Sequence, residues 1–210
     1  LQMKKIVLLI GMFILGGAFF TINVNAEADN SHPVSTNGNR LRYNTPYRLR
    51  DKNLPHRNPV TFEAWASYDY AIFGHYTRPG YRGGTPIIIE STTGKTGFID
   101  SNDPIAIRST SSNWGGWVYW DVTNSYLANS VWFTNRRVPI GHLVGNSRDR
   151  SVGIGGMTFS SNLGFPLPTY LELGGSDANK PWMTFRTVTQ NQLIMPPINV
   201  RRTPFLLTDA

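Results

Sequence analysis

The chain has 210 residues, with 20 Lys and Arg against 13 Asp and Glu and no cysteine. This composition excludes a disulfide framework, a thiol nucleophile and any thiolate metal site, and it favours a bacterial exporter over an animal or plant secreted domain. The 20 Gly and 14 Pro are spread along the chain, no stretch sustains an apolar helical period, and helix content is expected to be very low.

Residues 1–26 read as a secretory signal peptide. Lys4 and Lys5 precede an apolar run from Ile6 to Phe20, and Val24-Asn25-Ala26 fits a small-residue cleavage site. The run is short for a membrane span and lacks a basic stop-transfer cluster. The expected location is therefore extracellular. The remaining chain keeps a positive charge, which favours anionic partners: acidic glycans, wall polymers, or lipid headgroups at a membrane surface. Export argues against nucleic acid. Residues 27–40 are polar, contain Pro33 and Gly38, and are expected to form a flexible N-terminus.

From residue 41 onward one unit recurs three times. Its first copy opens at Thr45-Pro46-Tyr47-Arg48-Leu49-Arg50, its second at Asp103-Pro104-Ile105-Ala106-Ile107-Arg108, and its third at Leu167-Pro168-Thr169-Tyr170-Leu171-Glu172-Leu173. Second runs follow at nearly constant spacing, at Val60 to Trp65, Trp117 to Val122 and Trp182 to Val188. Short apolar third runs lie at Tyr70-Ala71-Ile72-Phe73, Val131-Trp132-Phe133 and Leu193-Ile194-Met195. Each copy closes on a proline-led run, at Pro86, Pro139 and Pro204. Residues 145–163 stand apart as an extra hairpin or ordered loop. Period-two alternation bounded by Gly, Pro, Asn and Ser marks strands, and proline suits a strand's first position.

Four short strands, triplicated, resemble the β-trefoil superfamily. The resemblance implies an all-β fold of twelve strands in three pseudo-symmetric lobes, at residues 41–102, 103–164 and 165–210. It also implies that the run at Pro204 pairs with the run at Pro46 to close a barrel. Ricin-type trefoil lectins carry a Gln-x-Trp signature that this sequence lacks, so their sugar-contacting residues do not transfer. Kunitz-type protease inhibitors share the architecture but commonly use disulfides. An inhibitory loop at Arg50-Asp51-Lys52-Asn53-Leu54-Pro55 is the corresponding candidate here.

Two residue classes point to binding. Basic charge precedes each closing proline, at Arg82, at Arg136 and Arg137, and at Arg201 and Arg202. Planar guanidinium forks on equivalent loops suit repeated acidic groups. Among aromatics, Trp114 on a Gly-rich turn and Tyr81 in the long loop of the first copy suit the apolar faces of sugars. In the run from Trp117 to Val122, alternation sets Val118, Trp120 and Val122 against Trp117, Tyr119 and Asp121.

Catalysis has little support. His32, His56, His75 and His142 are scattered without metal-ligand spacing, no nucleophile and base are paired, and nothing calls for a cofactor. The expected function is a secreted, non-catalytic, lectin-like or toxin-like protein that binds carbohydrate or another cell-surface ligand and favours acidic ones. A membrane-active toxin and a trefoil-type protease inhibitor are the alternatives. Oligomeric state is left open.

Overall fold

The computed structural model describes residues 32–75, 82–101, 103–122, 127, 129–146, 148–158, 169–174, 182–189 and 203–210. Among them lie twelve strands and no helix: β1 (Pro46–Asp51), β2 (Arg57–Trp65), β3 (Tyr68–His75), β4 (Ile87–Ser91), β5 (Ile105–Ser109), β6 (Tyr119–Asp121), β7 (Trp132–Thr134), β8 (His142–Asn146), β9 (Ser151–Thr158), β10 (Thr169–Gly174), β11 (Thr184–Thr189) and β12 (Phe205–Asp209). Six of them close a barrel of antiparallel neighbours. β1 pairs with β4 and β12, β4 with β5, and β9 with β8 and β12. The ring is completed between β5 and the start of β8, where Ile105 N donates to Gly141 O (2.9 Å) and Ile140 N to Ile105 O (2.8 Å). The expected closure of the last strand on the first is present, with Leu49 opposite Leu207 and Asp51 opposite Phe205.

Alternation explains the core. Tyr47 and Leu49, Ile87 and Ile89, Ile105 and Ile107, Val152 and Ile154, and Phe205 and Leu207 sit two apart on their strands and are all buried. Hairpins β2–β3, β6–β7 and β10–β11 cap this barrel and add Val60, Phe73, Trp120, Phe133 and Leu173 to the same cluster. On the cap, three backbone hydrogen bonds form a cycle. Ala71 N donates to Val131 O (3.0 Å), Val131 N to Met183 O (3.0 Å), and Met183 N to Ala71 O (2.6 Å). Each donor belongs to a different lobe, so this cycle marks the pseudo-threefold axis.

The cycle also corrects the reading of the third copy. Met183 is the counterpart of Ala71 and Val131, which makes β11 the third strand of its lobe and the run at Thr169 the second. The first is β9, so the boundary between the second and third lobes falls between β8 and β9, not at residues 164 and 165. β9 has no opening proline, and its sequence SVGIGGMT reads as a loop. The segment expected to be an extra hairpin is instead the barrel pair β8–β9. Val138-Pro139-Ile140 is not a strand; pairing begins at Gly141 and β8 follows. Trp182 therefore corresponds to Tyr70, not to Trp117. Leu167, Pro168 and the run at Leu193 lie outside the described residues.

The N-terminal segment departs from expectation over residues 32–40. Thr36 N donates to Leu207 O (2.9 Å), Leu41 N to Pro33 O (2.9 Å), and Ser35 and Leu41 are buried. A β-bridge between Val34 and Arg40 closes the segment on itself, and the Thr36 hydrogen bond docks it on the part of β12 that β9 leaves unpaired. Residues 27–31 lie outside the described residues.

Asp103, expected at a turn, does more than turn the chain. Its buried carboxylate accepts from Tyr43 Oη (2.8 Å) and from Lys95 Nζ, joining the β4–β5 loop to the N-terminal segment. Burial pulls its pKa up, but the hydrogen bonds from Lys95, Tyr43 and the Asp100 N–H outweigh that, and the net displacement is downward. A depressed carboxylate adds stability that is fully present above its unfolded value near pH 4 and is lost as pH falls through the folded value. Asp149, held by Lys52 and Ser151 against its own burial, acts in the same direction, whereas burial raises Asp51 and opposes it. Asp103→Asn is expected to flatten the acid limb of stability against pH. Urea midpoints measured between about pH 2 and 6 check this, and superimposable slopes for the two proteins contradict it.

Candidate functional site

The face of the cap hairpins turned away from the barrel core is built from aromatic residues. On β2, Val60 and Phe62 meet the core, which leaves Thr61, Glu63 and Trp65 on the other side, opposite Ile72, Tyr70 and Tyr68 of β3. Trp65 and Tyr68 flank a two-residue turn in which Ala66 has a positive φ of 55°. Tyr70 bridges to Trp132 of β7, and Ile72 bridges to Trp182. The rings then touch across lobes. Trp65 meets Trp182 edge-on with centroids 6.2 Å apart, and Tyr68 lies 4.9 Å from Trp132 and 5.7 Å from Trp117. Aromatic pairs at these separations are held by ring electrostatics as well as by burial.

Trp114 lies on a turn tied to the same hairpin. Its turn is anchored by Asn113, whose backbone N–H and side-chain Nδ2 donate to the buried Asp69 carboxylate at 2.6 and 2.7 Å. Asp69 lies between Tyr68 and Tyr70 in β3. Trp117 N donates to Trp114 O (2.9 Å), which closes the turn. Trp65 is 54% exposed and Trp114 42%, while Tyr68, Trp117, Trp132 and Trp182 are half-buried. The two exposed indoles thus stand on tethered backbone with other rings beneath one of them. The sixth tryptophan, Trp120, is wholly buried in the core.

No protein-family model matches this sequence, and no curated protein matches it by sequence. Solved structures do match in shape. The Bauhinia bauhinioides kallikrein inhibitor, in a complex with bovine trypsin, aligns with a TM-score of 0.59 at 16% identity over 86% of this chain and 99% of that one. The Kunitz-type soybean trypsin inhibitor aligns with a TM-score of 0.57 at 12% identity, over 85% and 99%. The binding domain of botulinum neurotoxin DC, in complex with SialylT, aligns with a TM-score of 0.52 at 13% identity over 89% of this chain and 49% of that one. The fold is a β-trefoil.

Within the trefoil, Arg82, Arg136 and Arg137 occupy the connections between the third and fourth strands of the first two lobes. Arg82 is exposed beside Gly83 and Gly84, whose carbonyls accept from Arg48. Arg136 is exposed, with Nη2 3.9 Å from Asp121 Oδ2. Arg137 is engaged: its Nε lies 3.1 Å from Glu90 Oε2, and its Nη2 donates to Ser91 O. Glu90 also takes Arg108 Nε (2.6 Å) and Tyr119 Oη (3.3 Å). Burial raises the Tyr119 hydroxyl pKa, as do the charge and hydrogen bond of Glu90. This network fixes the β7–β8 connection to the barrel and leaves Arg137 little freedom to grip a ligand. Arg201, Arg202 and Tyr81 lie outside the described residues.

Trp114 is thus the predicted residue that is exposed on a turn tied to the aromatic hairpin. Sequence reasoning missed Trp65, although two aromatics flanking the two-residue turn Ala66-Ser67 are a usable signal of a hairpin tip with both rings on one face. Arg50 to Pro55 forms a compact turn, with Leu54 N donating to Asp51 O (3.1 Å) and Arg57 N to Leu54 O (2.9 Å), not the extended loop that a protease cleft receives. Among the described residues, no group of three His, Asp or Glu could hold a metal ion. No helix among them is long and apolar enough to cross a membrane.

Proposed function

We propose that this trefoil is an extracellular, non-catalytic binding protein that recognises cell-surface carbohydrate through the aromatic face of its cap. The observation that carries this reading is a pair of exposed indoles, Trp65 on a face where Tyr68, Trp117, Trp132 and Trp182 are half-buried, and Trp114 on the turn tied to β3. Exposed rings on fixed backbone lose little entropy on binding, and their flat faces match the C–H faces of hexoses. Glu63 and Tyr68 on the same face supply polar atoms for sugar hydroxyls. The glycan-bound toxin domain of the same fold supports the reading at the level of architecture. A glycan array at low and raised salt tests it. Trp65→Ala and Trp114→Ala are each expected to weaken the strongest signal by about tenfold, the scale of a binding anchor. No glycan bound above background, or undiminished binding by the double variant, overturns it.

A second reading, protease inhibition, is favoured by the β4–β5 connection. Thr93, Gly94, Lys95 and Thr96 are consecutively exposed, while Lys95 is braced by Asp103 and its backbone N donates to Ser91 Oγ (3.0 Å). Braced exposed loops resist the deformation that cleavage requires. Residual activity of serine and cysteine proteases at equimolar protein decides it: inhibition lost in Lys95→Ala supports this reading, and full protease activity removes it.

A further inference from the structure

The β1–β2 turn lies at the other end of β2 from Trp65, about 25 Å away at the rise of an extended strand. It encloses an open depression of about 340 Å³ lined by Arg50, Pro55, His56, Arg57 and Asn58. We propose that this depression is a binding site for one oxyanion group, a sulfate or phosphate ester, separate from the aromatic cap and independent of its role.

The charge pattern carries the proposal. Arg40, Lys52, Lys95, Arg108, Arg136 and Arg137 each have a carboxylate oxygen within 4.0 Å. Among the described residues, no carboxylate lies at that distance from Arg50, His56 or Arg57. Lys52, in the same turn, is taken by Asp149 at 2.8 Å, and Asp51 turns inward, buried, with Oδ1 accepting from Asn53 N (2.8 Å). The lining therefore presents guanidinium and imidazole groups without an acidic partner.

The same contacts hold the donors in place. Asp51 and Leu54 carbonyls close the turn, Pro55 restricts it, and Arg50 Nη1 donates to Arg57 O (3.3 Å), which keeps the Arg50 guanidinium beside the next arginine. An anion received in the depression meets guanidinium donors that no carboxylate competes for and takes charge-assisted hydrogen bonds from them. Guanidinium forks match the oxygen geometry of sulfate and phosphate. The depression is too polar in its lining for an apolar ligand, and its open mouth suits a group carried on a larger molecule.

The test follows the arginine Nε–Hε resonances of the full chain by NMR while inorganic sulfate or inorganic phosphate is added, with sodium chloride at matched ionic strength as reference. Saturable shifts at Arg50 and Arg57 with either oxyanion, absent with chloride, are expected. Arg50→Gln combined with Arg57→Gln is expected to weaken binding at least tenfold, and Trp65→Ala to leave it unchanged. Glucose 6-sulfate and glucose 6-phosphate then distinguish the two ester sources by which one binds more tightly. Linear, unsaturable shifts, an equal response to chloride, or unchanged affinity in the double variant overturns the proposal. Retention of oxyanion binding in a Trp65→Ala protein that has lost glycan binding separates failure of one site from failure of the other.

Discussion

Trp120→Ala is expected to destabilise the protein by about 3–5 kcal/mol, which lowers the thermal midpoint by about 10 °C or more for a chain of this size. Trp120 is fully buried on the inner face of β6 and belongs to the core cluster that spans barrel and cap. Truncation forfeits the burial of the largest side chain in that core and leaves a cavity under the hairpin, which cannot collapse because Phe133 and Ile107 are held by their own strands. A second loss accompanies it. Trp120 Nε1 donates to Ser109 Oγ (3.2 Å), and Ser109 is buried, so the hydroxyl loses its partner. Trp120→Phe keeps much of the ring area while removing the donor, and it is expected to cost less, about 1–3 kcal/mol. Equilibrium urea unfolding with unchanged slope ranks the three proteins. A loss below about 1 kcal/mol for the alanine variant contradicts the role assigned to this residue.

Gly141→Ala is expected to cost about 2–4 kcal/mol by the same measurement. Gly141 has φ of +117° and sits where the barrel closes, its carbonyl accepting from Ile105 N. A Cβ at this position lies 2.9 Å from the Gly155 carbonyl carbon and 3.0 Å from its oxygen. Both obstacles are backbone of β9, so no side-chain rotation relieves them, and β8 and β9 must separate. Gly94→Ala provides the comparison. Gly94 has φ of +82°, but nothing lies within 4 Å of its added Cβ, which leaves conformational strain alone. Equal losses in the two variants contradict the close approach of β8 and β9 as the cause.

That close approach also explains which parts of the fold were legible from sequence. The first lobe is written in bulky alternating residues introduced by proline, as at Pro46 and Pro86, and its strands were found within a few residues. The fifth to seventh strands were found for the same reason. β9 is different. Gly155 is what tight packing beside Gly141 demands, yet on paper the run from Gly153 to Gly156 looks like a loop. Missing that strand shifted the third copy by one, so the run at Trp182 was paired with the run at Trp117 although the backbone cycle through Met183 sets it beside Tyr70 and Ser130.

The candidate site shows a similar limit. Alternation in β6 was read correctly for Trp120 and Val122, which face inward, but Asp121 on the opposite face is also buried. Periodicity within one strand does not report that burial. The tryptophans at positions 65, 117, 132 and 182 are far apart in sequence and share one aromatic cluster only because three hairpins share an axis. Arginine positions before each closing proline were easy to see, but whether a guanidinium is available depends on a partner elsewhere in the chain, as Glu90 shows for Arg137.

The contact role of the cap is tested most directly by the indole N–H signals of the six tryptophans, recorded by NMR while the strongest array-bound glycan is added. The account predicts saturable shifts at Trp65 and Trp114, smaller ones at Trp117 and Trp182, and none at Trp120. Saturable glycan binding that leaves Trp65 and Trp114 unmoved contradicts it.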